Sequence, residues 1–271
     1  EGNRMSGKLK DKAALILGAA GKDNMGQVMA RRFAQEGAKI VVAGRNEDSL
    51  KEISGEVGGD YVVCDITKKE DIDAMTSKVV DLHGKLDIGI QATGWGYLSP
   101  FLESTEEDLV KIMNLQFKGP YQFFQSCIPA MKDGGSIIQI SSATATIMLD
   151  NHAAYMGTKA GIDHVIRTIA NEFGEKGIRA NSISPGLTAT PMTSDAMAAP
   201  GLEDAFKKEY PLGRIGTSED VAAAAVFLCS DECFLSGQNL QVNGGLTLRR
   251  NPRSHEIDAS VAAAVAELES K

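Results

Sequence analysis

The sequence predicts a single α/β domain built on a doubly wound parallel sheet of about seven strands. Short apolar runs alternate with longer segments of helical periodicity, as expected for a parallel sheet covered by helices on both faces. A glycine-rich turn follows the first apolar run, and 271 residues are enough for one such domain. We find no linker, internal repeat or low-complexity segment that would divide the chain.

Apolar runs bounded by turn residues predict the strands, and apolar positions at helical spacing predict the helices between them. The predicted strands are 13–17, 39–43, 61–64, 86–91, 135–141, 178–184 and 240–242. The predicted helices are 28–36, the segment after Asn46, 69–83, 106–131, 153–173 and 221–228. Asn46 is a suitable N-cap, and 217–220 has the pattern of a capping box.

A further helix is predicted after the last strand, because four apolar residues follow one another at helical spacing. These residues are Ile257, Val261, Val265 and Leu268. Such a stripe needs a partner surface, on the body of the protein or on a neighbouring subunit. We therefore divide the chain into an N-terminal extension (1–8), a main domain (9–248) and a helical tail (249–271). Met5 is the expected natural start, with Glu1 to Arg4 left over from cloning.

Composition excludes several classes of function. The net charge of −8 and the lack of a dense Lys/Arg stripe argue against a nucleic-acid surface. The longest apolar run, 221–229, is too short to span a bilayer, and no signal peptide is visible. The four cysteines show neither a disulfide framework nor metal-ligand spacing. We expect a cytoplasmic protein without a metal or a membrane partner.

The stretch from Ser142 to Lys159 carries the clearest chemistry. Tyr155 and Lys159 are four residues apart, so both side chains project from one face of the predicted helix. A cation beside a phenol favours the phenolate, and it should lower the pKa of Tyr155 from about 10. Such a phenol can exchange a proton with a carbonyl or an alcohol, while the Ser142 hydroxyl holds the reacting oxygen. The alternative is an ordinary residue pair on a surface helix.

The glycine-rich turn has the features of a dinucleotide site. Gly18, Gly21 and Gly26 let the backbone approach a pyrophosphate, and the N-terminus of the next helix favours negative charge. The spacing is not the usual G-x-G-x-x-G, so a tight turn that binds nothing is the alternative.

The end of the second predicted strand bears on the choice of nucleotide. An acidic residue there would bind the ribose of NAD, but this chain has Arg45, which suits the 2′-phosphate of NADP. Lys22 in the glycine-rich turn adds a second cation, and a solvated surface arginine is the alternative. Asp65, after the third strand, is a candidate to hold the adenine amino group or to cap the next helix.

Further motifs stand in order around these residues. They are Asn114 in the helix 106–131, Asn-Ser-Ile-Ser-Pro-Gly at 181–186, Gly-Arg-Ile-Gly at 213–216 and Val-Asn-Gly-Gly at 242–245. Together with Ser142, Tyr155 and Lys159, they make the chain resemble the classical short-chain dehydrogenases/reductases over 9–247. The resemblance implies a Rossmann fold and the NAD(P)-linked interconversion of carbonyls and alcohols.

The resemblance also implies a role for each residue of the site. Tyr155 is the acid/base, Lys159 lowers its pKa and binds the nicotinamide ribose, and Ser142 orients the carbonyl. Asn114 holds a water in a proton relay, and Thr190 binds the carboxamide. The implied cofactor-binding residues are Gly18, Gly21, Lys22, Met25, Gly26, Arg45, Asp65, Ile66, Ala92, Gly94, Tyr155, Lys159, Pro185, Gly186, Thr188 and Thr190.

Two segments depart from the family pattern. The glycine-rich turn carries two extra residues before Gly26, and 91–94 reads Gln-Ala-Thr-Gly where the family has Asn-Asn-Ala-Gly. Because these segments touch in the family, the hydrogen bonds of the cofactor loop should differ in this chain.

The substrate side is predicted from large apolar residues in the segments that form the pocket of family members. The candidates are Trp95, Met148, His152 and Met192, together with a lid over 188–212 that contains three prolines. They suit a hydrophobic or cyclic ketone, although the same residues equally suit ordinary packing. For His152, a helix cap is the favoured alternative to substrate contact.

These observations predict an oxidoreductase that prefers NADP(H), with NAD(H) possible, and that acts on a small carbonyl or alcohol. A narrower alternative is a 3-oxoacyl-thioester reductase, which would need a basic surface near Lys207-Lys208 and Arg249-Arg250. An alternative of another class is a catalytically silent NADP-binding sensor or scaffold. The resemblance also implies a homotetramer or homodimer, with the helices that start near Glu106 and Ala153 at an interface.

Overall fold

A computed structural model describes residues 7–270, and it confirms the predicted doubly wound parallel sheet. Seven strands lie in the order β3-β2-β1-β4-β5-β6-β9, and every neighbouring pair is parallel. They are β1 (Ala13–Leu17), β2 (Lys39–Gly44), β3 (Asp60–Val63), β4 (Ile88–Gln91), β5 (Gly135–Ile140), β6 (Ile178–Pro185) and β9 (Asn239–Val242). Residues 1–6 of the predicted extension, which include Met5, lie outside the described part.

Helices cover both faces of the sheet, and a small two-stranded ladder stands beside it. The helices are α1 (Met25–Gln35), α2 (Glu47–Val57), α3 (Lys69–His83), α4 (Glu106–Met113), α5 (Gly119–Ala130), α6 (Ala153–Phe173), α7 (Ser194–Met197), α8 (Leu202–Lys207), α9 (Ser218–Cys229) and α10 (Ser254–Glu269). The ladder pairs β7 (Thr188–Ala189) with β8 (Gly216–Thr217). Within 7–270, no helix has both the length and the apolar character needed to cross a bilayer.

Alternate residues of each strand serve two hydrophobic layers. Ile16 of β1 packs in the layer that contains α1, α2 and α9, whereas Leu15 and Leu17 pack in the layer of α3, α5 and α6. Because both faces are buried, the strands read as continuous apolar runs rather than as alternating ones. This is why the sequence locates them to within one or two residues.

The predicted caps also form. The Asn46 side chain accepts a hydrogen bond from the Ser49 amide at the start of α2. Thr217 and Asp220 make the reciprocal bonds of a capping box, and Arg214 adds two hydrogen bonds to the Asp220 carboxylate. These bonds satisfy backbone N–H donors of the first turn, because those donors have no acceptor within the helix.

The predicted single helix 106–131 is wrong in one respect, because a π turn over Asn114–Lys118 separates α4 from α5. Here the Gly119 amide donates to the Asn114 carbonyl, five residues back. A Cβ at Gly119 would lie 2.6 Å from the Ile66 carbonyl oxygen, so the glycine lets α5 pack closely on the end of β3. An extra residue in a helical turn leaves no periodic signal in the sequence, and such turns are frequent at functional sites.

The tail helix α10 packs on the predicted lid. Ser260 donates a hydrogen bond of 2.8 Å to the Gly201 carbonyl, and a Cβ at Gly201 would lie 2.4 Å from the Ser260 carbonyl oxygen. At the start of α10, Ser254 and Arg253 bond to Asp150, in the loop before α6. The tail therefore joins two segments that were predicted to border the substrate.

Removal of residues 251–271 should lower the melting temperature by about 3–10 °C, because the partly buried contacts of α10 on α8 contribute about 1–3 kcal/mol. We also expect a higher KM for substrate and an unchanged Kd for NADPH. Calorimetry and steady-state kinetics test this. Ser260→Ala, which removes only the bond to Gly201, is the control and should have a smaller effect. Unchanged melting, mass and kinetics after truncation would contradict the docking of the tail.

Candidate active site

The candidate site lies where the strand order reverses. β1 is the junction between β2 on one side and β4 on the other, and ligands of doubly wound sheets bind outside the carboxyl ends of such strands. Gly18 and Ala92 meet there: the Ala92 amide donates to the Leu17 carbonyl at 2.8 Å. Gly18 has a φ of +109°, and a Cβ on it would lie 2.6 Å from the Ala92 carbonyl carbon. The predicted contact between the two altered segments is therefore present.

The two extra residues of the glycine-rich turn are accommodated by side chains. Asn24 accepts from the Gln27 amide as the N-cap of α1, and its Nδ2 donates to the Gly18 carbonyl at 2.9 Å. Gln27, which is buried, donates to the Ala19 carbonyl. Asn24 and Gln27 were not predicted as site residues. The side-chain amides of Asn24 and Gln27 thus tie the start of α1 to the backbone of the turn at Gly18 and Ala19.

Gly26 and Gly21 have different surroundings in this turn. A Cβ at Gly26 would lie 2.6 Å from the Gly18 carbonyl oxygen, so a side chain there would separate α1 from the turn. At Gly21 a Cβ would meet only the Asn24 side chain, at 3.0 Å. Met25 is the first residue of α1.

The two candidate cations stand at the rim of the crevice. Arg45, just after β2, and Lys22 are exposed, and neither makes a hydrogen bond or close ion pair with another residue of 7–270. Asp65 follows β3, and its carboxylate accepts hydrogen bonds from the backbone amide and the hydroxyl of Thr67. Burial raises the pKa of Asp65, but these bonds and the charge of Arg45 outweigh it, and the net pKa lies below its usual range. Asp65 does not cap the next helix, because the N-cap of α3 is Lys68 and no side chain caps it. Thr67 uses one of the two carboxylate oxygens of Asp65.

The altered segment 91–94, at the end of β4, is held by a hydrogen bond from its own first residue, Gln91. Gln91 is fully buried, and its side-chain amide donates to Thr93. A Cβ at Gly94 would lie 3.4 Å from Oε1 of Gln116 and 3.9 Å from Nζ of Lys159. Gln116 accepts the Trp95 amide at 2.7 Å and donates to Thr158 of α6. Gln116 is thus a site residue that the sequence did not indicate; its position two residues after Asn114 was the available signal.

Ser142, Tyr155 and Lys159 come together at the carboxyl end of β5. Lys159 is 3% exposed, and its ammonium donates to the Ile140 carbonyl at 2.8 Å, with Nζ 5.6 Å from the centre of the Tyr155 ring. Ser142 follows β5, and its hydroxyl lies 2.9 Å from that of Thr144. The Tyr155 and Lys159 side chains project from one face of α6, as their spacing predicted.

The predicted effect of Lys159 on Tyr155 is not present in this arrangement. Burial raises the pKa of Tyr155 to about 12, and the nearby Ser142 hydroxyl offsets only part of this. Burial also lowers the pKa of Lys159 to about 8, so Lys159 is still mostly charged at neutral pH and loses its charge as the pH rises through about 8. The Lys159 ammonium is directed at a backbone carbonyl rather than at the phenol. In this state Tyr155 is a protonated phenol.

Asn114 lies somewhat apart from this group. It is partly buried at the start of the π turn and lines an open groove with Thr67 and Lys111. No hydrogen bond within 7–270 joins its side chain to Tyr155 or Lys159. A role for Asn114 in a relay therefore requires a bridging molecule.

The segment after β6 packs against the lid. A Cβ at Gly186 would lie 2.2 Å from the Tyr210 hydroxyl, which donates to the Leu187 carbonyl, so the glycine admits the lid to the end of β6. Thr188 is buried and donates to the Gly186 carbonyl. The Thr190 hydroxyl lies 3.2 Å from that of Thr193. The hydroxyls of Thr188 and Thr190 are thus engaged locally.

A cavity of about 410 Å³ is lined by two of the four predicted substrate residues, Met148 and His152. Tyr155 does not line it, but the Tyr155 ring lies against His152. Its lining also includes Phe101, Met156 and Ser254 of the tail, none of which was predicted. The tail contributes to this cavity because Ser254 bonds to Asp150 in the same loop as Met148.

The other two predicted substrate residues lie elsewhere. The Trp95 ring stacks on Tyr97, with 4.7 Å between ring centres, and Nζ of Lys111 lies 4.3 Å from the centre of the Trp95 ring. Trp95 therefore packs toward α4 and does not line the cavity. Met192 of the lid is 62% exposed, and its Sδ lies 3.9 Å from the position of a Cβ at Gly96. The lid thus reaches the loop after β4.

His152 does not act as a helix cap, although it holds the N-cap position of α6. Its side chain makes no capping hydrogen bond, and its ring lies against Tyr155, with 4.5 Å between ring centres. Nδ1 is buried without a hydrogen-bond partner. Burial lowers the pKa of His152 to about 4, so the ring is neutral at physiological pH.

Comparison with known proteins extends these likenesses over most of the chain. A family model described as enoyl-(acyl carrier protein) reductase matches residues 18–247. D-threitol dehydrogenase of Mycolicibacterium smegmatis is 32% identical over 250 residues, covering 89% of this chain and 95% of that protein. The mitochondrial borneol dehydrogenase of Lavandula x intermedia is 33% identical over 246 residues, covering 89% and 92% respectively. A solved short-chain type dehydrogenase/reductase from Mycobacterium ulcerans has a TM-score of 0.86 at 30% identity, covering 90% of this chain and 92% of that one.

Proposed function

Since the chain belongs to the short-chain dehydrogenase/reductase family and is an NAD(P)-dependent oxidoreductase of CH–OH and C=O groups, we propose that it uses NADP(H) on a hydrophobic or cyclic ketone. The observation that carries this proposal is the grouping of Ser142, Tyr155 and Lys159 beside the crevice at the strand reversal. A dinucleotide fits the residues there, because the glycines leave the backbone open and the rim carries Arg45 and Lys22.

The geometry supports a different role in the reaction for each site residue. NADP(H) would supply or accept the hydride. Tyr155, with a pKa raised to about 12 by burial, donates its proton to the carbonyl oxygen in reduction. The Ser142 hydroxyl orients that oxygen, and the Lys159 ammonium stabilises the phenolate that results. Oxidation uses the same groups in reverse and requires the charged form of Lys159.

Arg45 is proposed to select NADP(H). Its guanidinium lies at the end of β2 without an acidic partner in hydrogen-bond contact, where the ribose of a bound dinucleotide is expected. A 2′-phosphate would form charge-assisted, forked hydrogen bonds with it, each stronger than a neutral bond. Lys22 adds positive charge from the glycine-rich turn.

Arg45→Ala should raise the Kd for NADPH about 10- to 100-fold and leave the Kd for NADH almost unchanged, because about 1.5–3 kcal/mol of charged hydrogen bonding is lost. Fluorescence titration with each nucleotide measures both values. Arg167→Ala is the matched control, since Arg167 is an exposed arginine on α6. A preference for NADH in the wild type, or no effect of Arg45→Ala, would remove the NADP assignment and leave the dehydrogenase assignment intact.

The substrate assignment rests on the lining of the cavity at His152, whose ring lies against Tyr155. Phe101, Met148 and Met156 contribute apolar surface, and His152 offers one neutral imidazole. Two of the relatives are named for D-threitol and for borneol, and the apolar lining supports a hydrophobic or cyclic substrate here. A screen of cyclic ketones with NADPH against small polyols with NADP+ tests this choice.

The thioester alternative receives less support from the structure. An acyl carrier protein is acidic and needs free basic residues at the mouth of the site. Lys207 pairs with Glu203, and Arg250 pairs with Glu256 and Glu209. Arg249 donates to the Lys208 carbonyl. The chain's own groups thus engage three of the four basic residues considered for that role.

We propose a homotetramer or homodimer in the cytoplasm. Leu109, Val110 and Met113 of α4 and Tyr121 of α5 expose apolar surface that a second copy of the chain would cover. All four cysteines are buried and free, which suits a reducing compartment. Light scattering of the purified protein measures the assembly, and a monomeric mass would contradict it.

A further inference from the structure

A row of polar side chains crosses the sheet at the level of the active site. Gln91, Gln139, Ser182 and Asn239 are partners in register on β4, β5, β6 and β9. Side chains that are directly opposite on neighbouring strands share a face, so the row lies beneath α6. Gln91, Gln139 and Ser182 are almost fully buried. A buried polar row in an otherwise apolar core needs hydrogen-bond partners.

Asp163 of α6 supplies the acceptor for one end of this row. Its carboxylate accepts hydrogen bonds from Ser141 at 2.7 Å, from Ser182 at 2.6 Å and from Asn239 at 2.7 Å. These donors lie on or next to three different strands. The carboxylate is therefore fixed in position from three sides, and its negative charge stays within the protein.

Asp163 also stands one helical turn after Lys159, on the same side of α6. It is the one charged residue of 7–270 that acts on the Lys159 ammonium, and Lys159 acts on it in return. On α6, Tyr155 is the other titratable group near Lys159. The end of β5 and the π turn present neutral side chains there, namely Ser142, Asn114 and Gln116. The charged residues Glu106, Glu107 and Lys111 of α4 and Lys118 are exposed.

We propose that Asp163 is a positioning residue for the reaction, whose fixed carboxylate keeps the Lys159 ammonium charged and in place beside Tyr155. This inference rests on the role of Lys159 in the proposed function. Burial alone favours a neutral lysine, which could neither stabilise a phenolate nor bind ribose hydroxyls as a cation. A carboxylate one turn away counteracts that effect without a direct ion pair that would draw the ammonium from the site.

A purely structural role would not require a charge. An asparagine at 163 could bond to the same strands, and a buried carboxylate held by three neutral donors carries a desolvation cost that an amide avoids. The Asp163 carboxylate thus carries a desolvation cost, and its charge acts on Lys159. This argument separates Asp163 from Thr158, which bonds to Gln116 and to the Tyr155 carbonyl with neutral groups.

The test is to titrate Lys159 directly in wild type and in Asp163→Asn. Lysine labelled with ¹³C at Cε reports its own pKa by NMR in the protein without nucleotide, and Lys159→Met assigns the signal. We expect the pKa of Lys159 to fall by about one unit or more in Asp163→Asn, because an opposing charge is removed. Ser182→Ala removes one hydrogen bond but keeps the carboxylate, and it should leave the titration of Lys159 within about 0.3 unit of wild type.

The same variants should differ in their pH profiles of turnover. Lys159 must be charged, so activity falls as pH rises through its pKa, and a lower pKa moves this limb to lower pH. In Asp163→Asn we expect kcat/KM to be nearly unchanged at pH 6 and reduced about tenfold near pH 8.5. The Kd for NADPH at pH 6 should change less than threefold.

An unchanged pKa of Lys159 in a folded Asp163→Asn protein would overturn the inference, and Asp163 would then be only a tie between strands. If Asp163→Asn does not fold by circular dichroism, the smaller Asp163→Ser is titrated in its place with the same two outcomes. If the pKa of Lys159 falls but no carbonyl substrate is turned over by the wild type, the effect of Asp163 on Lys159 is established and it is the proposed function that fails.

Discussion

Tyr155→Phe should lower kcat for ketone reduction by about 10²- to 10⁴-fold, the usual contribution of a positioned acid. This corresponds to about 3–5 kcal/mol of activation free energy. The phenylalanine ring keeps the contact with His152, so the fold and the cofactor crevice should be unaffected. We therefore expect the Kd for NADPH to change less than threefold. Steady-state kinetics and nucleotide titration on the same preparation measure both quantities.

Tyr97→Phe is the matched control for this experiment. It removes one phenolic hydroxyl near the site, where Tyr97 bonds to Asp108 of α4, but it leaves Tyr155 in place. Its kcat should stay within about threefold of the wild-type value. A protein that binds NADPH normally but shows no turnover with any ketone, before or after the Tyr155 change, would be a sensor or scaffold rather than an enzyme.

Gly26→Ala should abolish tight nucleotide binding and destabilise the domain. The new Cβ would lie 2.6 Å from the Gly18 carbonyl oxygen and 2.9 Å from the Ala19 Cα, and neither backbone atom can move without opening the turn. We expect a loss of about 1–3 kcal/mol of folding free energy, which lowers the melting temperature by about 2–4 °C for each kcal/mol. The Kd for NADPH should rise at least about tenfold, because α1 no longer presents its first amides to the crevice.

Gly55→Ala is the control for the same chemical change without the clash. Gly55 lies inside α2, and a Cβ there would meet no atom within 4 Å. Alanine at this helical position should raise stability by about 0.5–1 kcal/mol and leave nucleotide binding unchanged. If Gly26→Ala melted and bound NADPH like wild type, the close packing of α1 on the turn would not be needed for the site.

The sequence was informative wherever burial or capping imposed a local pattern. The strands of a sheet covered on both faces are apolar runs, and α3 and α6 begin and end at the predicted residues. The spacing of Tyr155 and Lys159 also fixed their common face. The resemblance to a known family then supplied the roles that spacing alone leaves open.

The features that the sequence missed depend on contacts between distant segments. The π turn exists because Gly119 packs against Ile66, and the engagement of Gln116 depends on Trp95 and Thr158. The pKa of Tyr155 was predicted to fall because the sequence shows Lys159 nearby but does not show how deeply both are buried. Burial reversed the expected direction, and only the folded chain could reveal this.

Because α10 packs on the lid, the part of the enzyme that the tail contacts is separate in sequence from the glycine-rich turn. The glycine-rich turn and Arg45, which are proposed to select the nucleotide, lie in the first 45 residues, whereas the tail meets the lid and the loop before α6 through Gly201 and Asp150. Changes of length or sequence in the tail can therefore reshape substrate choice without disturbing the cofactor crevice. For the same reason an affinity tag fused after α10 would extend the helix that packs on the lid, and purification for kinetic work should rely on a tag at the other end.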